Sequence, residues 1–138
     1  MKRHVLLFSF VFSAHGQPSI FGKWTTVDDD TGEIKSIVEI IERDGEIYGR
    51  IVAILTESNP DVVCDQCAED DERHNQRIMD MEIIQNLKKS GSEYGDGTIL
   101  DREDGKVYRC KLWVEDGQLK VRRYWGPFYR TQTWRKST

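Results

Sequence analysis

Two cysteines in a long polar segment are the residues best suited to chemistry. Cys64 and Cys67 are separated by two residues in an acidic stretch. Three interpretations are open: a disulfide, as expected in an oxidising compartment, half of a four-ligand zinc site, or a redox motif, which normally accompanies a βαβ unit. Only His74 lies nearby as a further zinc ligand, and no second Cys-x-x-Cys follows. The spacing therefore favours the disulfide.

The sequence assembles no catalytic set. Cys110 alternates with Tyr108 and Leu112 on an apolar face, which predicts a buried thiol that packs as a small hydrophobic side chain. There is no Gly-x-Ser-x-Gly, no glycine-rich phosphate loop and no EF-hand pattern. We therefore expect a protein that is not an enzyme and that holds no cofactor and no metal.

Arginines and aromatic residues are concentrated between positions 122 and 135. Strand alternation places Arg123 on the same face as Leu119 and Val121, where an unpaired charge is costly. Arg123 either meets an anionic ligand head at the mouth of a pocket, with an apolar tail among the aromatics, or lies at the rim in water or beside an acidic side chain. The candidate ligand-binding residues are Tyr108, Arg123, Tyr124, Gln132 and Trp134.

These residues lie on segments that alternate between apolar and polar side chains and are separated by glycine-containing turns. The clearest is Lys106–Glu115. The alternation predicts strands at 21–27, 34–42, 46–55, 81–88, 93–100, 106–115, 119–125 and 130–136. Eight strands in hairpin succession predict an all-β, antiparallel up-and-down barrel, because closure removes both sheet edges. The one long connection, 56–80, is expected to carry a helical turn around 70–79.

Composition and charge limit the function classes. The chain is 32% charged and 38% hydrophobic, which is typical of one globular domain. Its formal charge of −4 argues against a nucleic-acid partner, which normally requires a basic stripe.

Residues 1–16 have the composition of a signal peptide. Lys2 and Arg3 precede an apolar run from Val5 to Phe12, and the small residues Ala14 and Gly16 follow. We expect cleavage after Gly16, which leaves a single barrel domain at 17–138. The run is too short to span a bilayer as a helix, and no later stretch is long enough. A periplasmic or secreted protein that does not span the membrane is predicted.

Several short motifs together resemble a bacterial exported family known as domain of unknown function 2147. They cover nearly all of the chain after residue 16, and no activity follows from the resemblance. The motifs are Gly22-Lys23-Trp24, Ile37–Ile40, Asp44-Gly45, Tyr48–Ile51, Cys64-x-x-Cys67, Gly97–Asp101, Gly105–Tyr108, Leu119–Arg122 and Thr131–Trp134.

The opening Gly22-Lys23-Trp24 is also similar to the start of lipocalin-like barrels. In those barrels an arginine of the last strand stacks on the tryptophan and closes one end. The resemblance implies that Arg130 or Arg135 has that role here.

Three functions follow, in order of preference. The first is a non-enzymatic barrel that binds a small amphipathic or anionic ligand, such as a fatty acid, inside it. The second is a periplasmic interaction module or envelope-associated protein with a filled barrel and no ligand. An enzyme comes last, because no catalytic set is present.

The predicted signal peptide has a direct test. Protein from the cell envelope should have the intact mass of a chain that begins at Gln17 or within a few residues of it, because signal peptidase cuts after small residues. A full-length chain recovered from the cytoplasm would contradict export.

Overall fold

The computed structural model describes residues 19–137. The predicted signal peptide, residues 1–16, lies outside this range. Within it the chain forms strands, turns and loops and contains no helix.

Eight antiparallel strands, each paired with its neighbours in sequence, form a closed barrel. The pairing of β1 with β8 completes the closure. This confirms the predicted all-β, up-and-down architecture. The strands are β1 Gly22–Val27, β2 Ile34–Arg43, β3 Glu46–Ile54, β4 Glu82–Ser90, β5 Glu93–Asp101, β6 Lys106–Glu115, β7 Gln118–Trp125 and β8 Phe128–Lys136.

Alternation along most strands divides the side chains between the core and the outer surface, whereas β4 and β5 each have two consecutive buried residues, Ile83-Ile84 and Ile99-Leu100. On β7, Leu119 and Val121 are buried, whereas the side chains of Lys120 and Arg122 donate hydrogen bonds to threonines of β8. The interior is packed with aliphatic side chains and two tryptophans, Trp24 and Trp134, each 2% exposed. Burial of this apolar surface is the main stabilising contribution to the barrel.

Trp24 closes one end of the barrel, which we call the Trp24 end. Its indole Nε1 donates a hydrogen bond of 2.8 Å to the carbonyl of Ile20. The cation over its ring is Lys136, with Nζ 4.7 Å from the ring centroid. The expectation of Arg130 or Arg135 in this role is therefore wrong. Arg135 lies opposite Thr25 in the β1–β8 pairing, one residue out of phase with Trp24, and Arg130 pairs with Asp29 and Asp30.

The opposite end, which we call the loop end, carries the turns β1–β2, β5–β6 and β7–β8 and the long β3–β4 loop, residues 55–81. The expected helical turn at 70–79 is absent. Instead the loop folds back on itself through a bridge between Val63 and Arg77. The amide of Cys64 donates to Gln76, and the amide of Asn75 donates to the carbonyl of Cys64. These cross-loop hydrogen bonds occupy the backbone groups that a helix would use.

The Cys64–Cys67 disulfide is present, as predicted, and both cysteines are buried in the core cluster. The loop that it staples lies directly against the β5–β6 turn. A Cβ added to Gly105 of that turn would lie 1.7 Å from the carbonyl oxygen of Gln66, between the two cysteines. Gly105 also has φ +75°, where side chains are strained. Glycine at this position is therefore required for the loop to pack.

The cysteines should differ sharply in reactivity. Iodoacetamide without reductant should label Cys110 slowly and leave Cys64 and Cys67 unlabelled, as measured by intact mass. Cys110 is 3% exposed, and burial raises the pKa of its thiol to about 12, so little thiolate forms at neutral pH. Rapid labelling of all three cysteines, or zinc copurifying stoichiometrically, would contradict the disulfide.

Gly105→Ala should destabilise the protein more than Gly117→Ala does. Both glycines have φ +75°, but a Cβ on Gly117 meets no atom within 4 Å. Gly117→Ala should therefore cost only the left-handed strain of about 1–2 kcal/mol, whereas Gly105→Ala must also displace the loop. Urea unfolding measures both, and equal losses would show that the loop does not depend on Gly105.

Candidate functional site

A cavity of about 100 Å³ opens at the loop end of the barrel. Its floor is aliphatic and its upper wall is polar. The lining residues are Thr26, Val27, Lys35, Ser36, Ile51, Ile83, Ile99, Leu100, Asp101, Arg102, Glu103, Val121, Arg123 and Gln132. The polar wall arises because the inward positions of several strands change from apolar to polar residues as they approach this end.

Arg123 is the central polar group of the cavity. It lies two residues beyond Val121 on the inward face of β7, and its side chain is 23% exposed. Its Nη1 donates a hydrogen bond of 2.8 Å to Oδ2 of Asp101, at the end of β5. The guanidinium also lies 4.9 Å from the ring centroid of Tyr108. Its Nε is buried and has no hydrogen-bond partner within residues 19–137. A buried donor without a partner costs free energy. A ligand oxygen that accepts a hydrogen bond from this nitrogen would therefore gain the most binding free energy in the cavity.

The Asp101 carboxyl is held in its ionised form. Burial raises its pKa, but hydrogen bonds from Arg123 and from the amide of Glu103 lower it, and the net shift is below the ordinary value of 3.8. Because the folded-state pKa is depressed, the ion pair contributes stability above the unfolded-state pKa. That contribution is lost as the pH falls through the folded-state value.

Two hydroxyl groups form another part of the polar wall. Thr26 of β1 and Ser36 of β2 are both 7% exposed, and their oxygens lie 2.8 Å apart in a hydrogen bond. Each hydroxyl is both donor and acceptor, so the pair retains capacity for a further polar partner.

Gln132 links the cavity to the core beneath it. Its side-chain oxygen accepts a hydrogen bond of 3.2 Å from the indole of Trp134, and its amide nitrogen donates to Asp29 at 3.3 Å. The orientation of Gln132 is thereby fixed. At the rim, Lys35 pairs with Glu103, and Arg102 adds a further cation to the lining.

The structure brings four of the five predicted ligand-binding residues together. Arg123 and Gln132 line the cavity, Tyr108 lies beside Arg123, and Trp134 is buried below Gln132. Tyr124 is apart from them. It follows Arg123 on β7 and so lies on the outer face, where Arg109 is 5.3 Å from its ring centroid.

Sequence reasoning missed Asp101, Thr26 and Ser36 as members of this site. Asp101 lies beside the β5–β6 turn and also accepts a hydrogen bond from the amide of Glu103. The available signal was periodicity, since Asp101 follows Ile99 on the inward face, and Ser36 precedes Val38 in the same way. Polar residues in an inward register mark the polar part of a barrel interior.

The size of the cavity limits what it can hold. Its volume is well below the roughly 300 Å³ at which drug-sized ligands begin to fit, although it has room for several waters or one small oxyanion. The Trp24 half of the interior is filled by side chains, with Val38 and Leu119 fully buried. A fatty-acid tail therefore has no space inside this conformation of the barrel.

No group of three or more metal-ligating side chains occurs within residues 19–137. His74, the zinc ligand considered with the cysteines, contacts the carbonyl of Cys67 through Nδ1 at 2.7 Å. Over the same residues there is no helix of the length and apolar character needed to cross a bilayer.

Comparisons with known proteins place the fold. A structure search finds the solved structure described as "Protein HP1028 from the human pathogen Helicobacter pylori belongs to the lipocalin family", with a TM-score of 0.74 at 19% identity. The match covers 87% of this chain and 84% of that one, so the barrel is lipocalin-like. A comparison of the sequence with curated proteins finds no significant match. The family model described as "Uncharacterized protein conserved in bacteria (DUF2147)" matches residues 22–136, and the chain belongs to that family.

Proposed function

We propose that this protein is a non-enzymatic barrel that binds a small molecule through one oxyanion at the loop end. The observation that supports it most is the unpartnered, buried Nε of Arg123 in the wall of the cavity. A carboxylate or phosphate oxygen accepting from this Nε would supply the missing hydrogen bond. Hydrogen bonds to charged groups are worth about 1.5–3 kcal/mol.

The other polar groups suit such a ligand. The hydroxyls of Thr26 and Ser36 can donate to its oxygens, and the amide of Gln132 lies in the same wall. Asp101 keeps the guanidinium in place, but its own negative charge repels a ligand that carries more than one negative charge. The site therefore favours a single small oxyanion, and any apolar part of the ligand must be short or extend out of the barrel.

A titration with acetate, butyrate, laurate and inorganic phosphate tests the proposal. Tryptophan fluorescence and calorimetry should show saturable binding of a short carboxylate or of phosphate. Arg123→Ala should weaken that binding by about 1.5–3 kcal/mol. Asp101→Asn should strengthen it, because the competing carboxylate is removed while an oxygen acceptor remains.

Arg122→Ala is the matched control. It makes the same substitution one residue earlier on β7, but Arg122 lies on the outer face, where its Nε donates to Thr131. Binding should be unchanged. If none of the four anions binds, or if the two arginine variants weaken binding equally, the ligand-binding proposal fails.

A specific observation favours a second candidate, the interaction module. The large hydrophobic side chains exposed within residues 19–137 gather at or near the loop end, apart from Phe21. They are Ile34, Leu55, Val63, Val107, Trp125, Phe128 and Tyr129. Clustered exposed apolar residues are typical of protein-contact surfaces. We infer that a protein partner would contact this end. Failure of every anion to bind would leave this as the preferred function.

A further inference from the structure

A second, larger cavity lies across β4, β5 and β6, apart from the cavity at Arg123. It is a surface groove of about 570 Å³, within the range of roughly 300–1,000 Å³ that small-molecule sites occupy. The groove exists partly because position 95 carries no side chain: a Cβ added to Gly95 would meet no atom within 4 Å. Gly95 lacks the positive φ of the turn glycines, so a side chain could be accommodated there.

Cations line both sides of this groove in a chain whose formal charge is −4. Lys88 belongs to β4, and Arg109 and Lys111 belong to β6. Lys89, the next residue of β4, also borders the groove, but its Nζ lies 5.4 Å from the ring centroid of Tyr94, which packs against the core. The acidic residues of the lining are Glu93 and Asp96.

Two of the three cations on the groove have carboxylate partners. Lys88 pairs with Glu46 at 3.4 Å, and Lys111 pairs with Glu93 at 3.2 Å. Arg109 forms no ion pair within the part of the chain that the structure describes. Its positive charge is therefore not neutralised by a direct ion pair.

Arg109 is held by an aromatic ring instead. Its guanidinium lies 5.3 Å from the ring centroid of Tyr124, which packs 6.0 Å from Tyr129. Arg122 in turn lies 4.1 Å from the centroid of Tyr129. A guanidinium stacked on a ring is oriented without using its N–H donors, which remain free for a planar oxyanion.

We propose that this groove is a binding site for a small molecule that carries two or more oxyanions. β4 and β6 are both hydrogen-bonded to β5, so their cations stand about two strand spacings apart, roughly 9–10 Å. A single phosphate or carboxylate reaches one wall, whereas a ligand with several oxyanions contacts both. The ligand is therefore a small polyphosphate or polycarboxylate, since both carry several oxyanions. The site is separate from the Arg123 cavity and does not depend on it.

Calorimetric titration with tripolyphosphate tests the site, with citrate as the polycarboxylate arm and orthophosphate as the single-oxyanion arm. The protein titrated is Arg123→Ala, which lacks the arginine of the loop-end cavity, so that binding of orthophosphate in that cavity does not enter the comparison. One molecule of tripolyphosphate or citrate should bind per chain. The one that binds more tightly shows whether the groove prefers phosphate or carboxylate groups. The preferred ligand should bind at least about tenfold more tightly than orthophosphate, because it engages both walls. Arg109→Ala should weaken it by about tenfold or more.

Gly95→Leu provides a test that changes no charge. The leucine fills the groove, so binding of the preferred ligand should be lost while thermal unfolding shows a folded barrel. Arg135→Ala on β8 removes an exposed arginine outside the groove and should leave the affinity unchanged. The proposal is overturned if orthophosphate binds as tightly as both larger anions, or if the Gly95→Leu protein binds the preferred ligand with normal affinity. It is also overturned if Arg135→Ala lowers the affinity for that ligand as much as Arg109→Ala does.

Discussion

The pairing of β1 with β8 is the contact on which the closed barrel depends. It sets Trp24 opposite Lys136 and Thr25 opposite Arg135, and without it both strands would be open sheet edges. The indole of Trp24 strengthens this seam from inside, through its hydrogen bond to Ile20 and the Lys136 ammonium over its ring. Closure at this end is therefore built from packing and hydrogen bonding around one aromatic side chain.

The filled Trp24 end allows the loop end to be polar. Apolar burial over the Trp24 half stabilises the fold, so the few inward polar groups at the other end can be tolerated if they are paired. Thr26 pairs with Ser36, and Arg123 pairs with Asp101. Among buried side-chain nitrogen and oxygen atoms within residues 19–137, only Nε of Arg123 is left unpaired. The interior thus combines a solid core with a small polar chamber, which differs from the hollow ligand pocket that the sequence suggested.

The sequence predicted the strands because alternation and glycine turns are local signals. It placed every strand to within about two residues, including Lys106–Glu115 at its exact limits. Contacts between side chains on different strands depend on the register of the strand pairing, which these local signals do not predict. Asp101 and Arg123 lie on β5 and β7, which are separated by β6, and a shift of one residue decides whether Arg135 or Lys136 meets Trp24. The β3–β4 loop was mispredicted as partly helical because the hydrogen bonds that fold it back on itself join residues more than ten positions apart, such as Cys64 with Gln76 and Ile78 with Val62.

The same alternation explains why Arg123 and Tyr124, adjacent in sequence, belong to different sites. Arg123 faces inward and is neutralised by Asp101, so its free Nε suits one additional oxygen acceptor and not a cluster of charges. Tyr124 faces outward and orders Arg109, which forms no ion pair within residues 19–137. An arginine paired with a carboxylate is electrically neutralised and selects ligands by hydrogen-bond geometry. An arginine held by an aromatic ring keeps its net positive charge and attracts anions. A single β-strand can therefore support a small selective chamber on one face and a polyanion groove on the other.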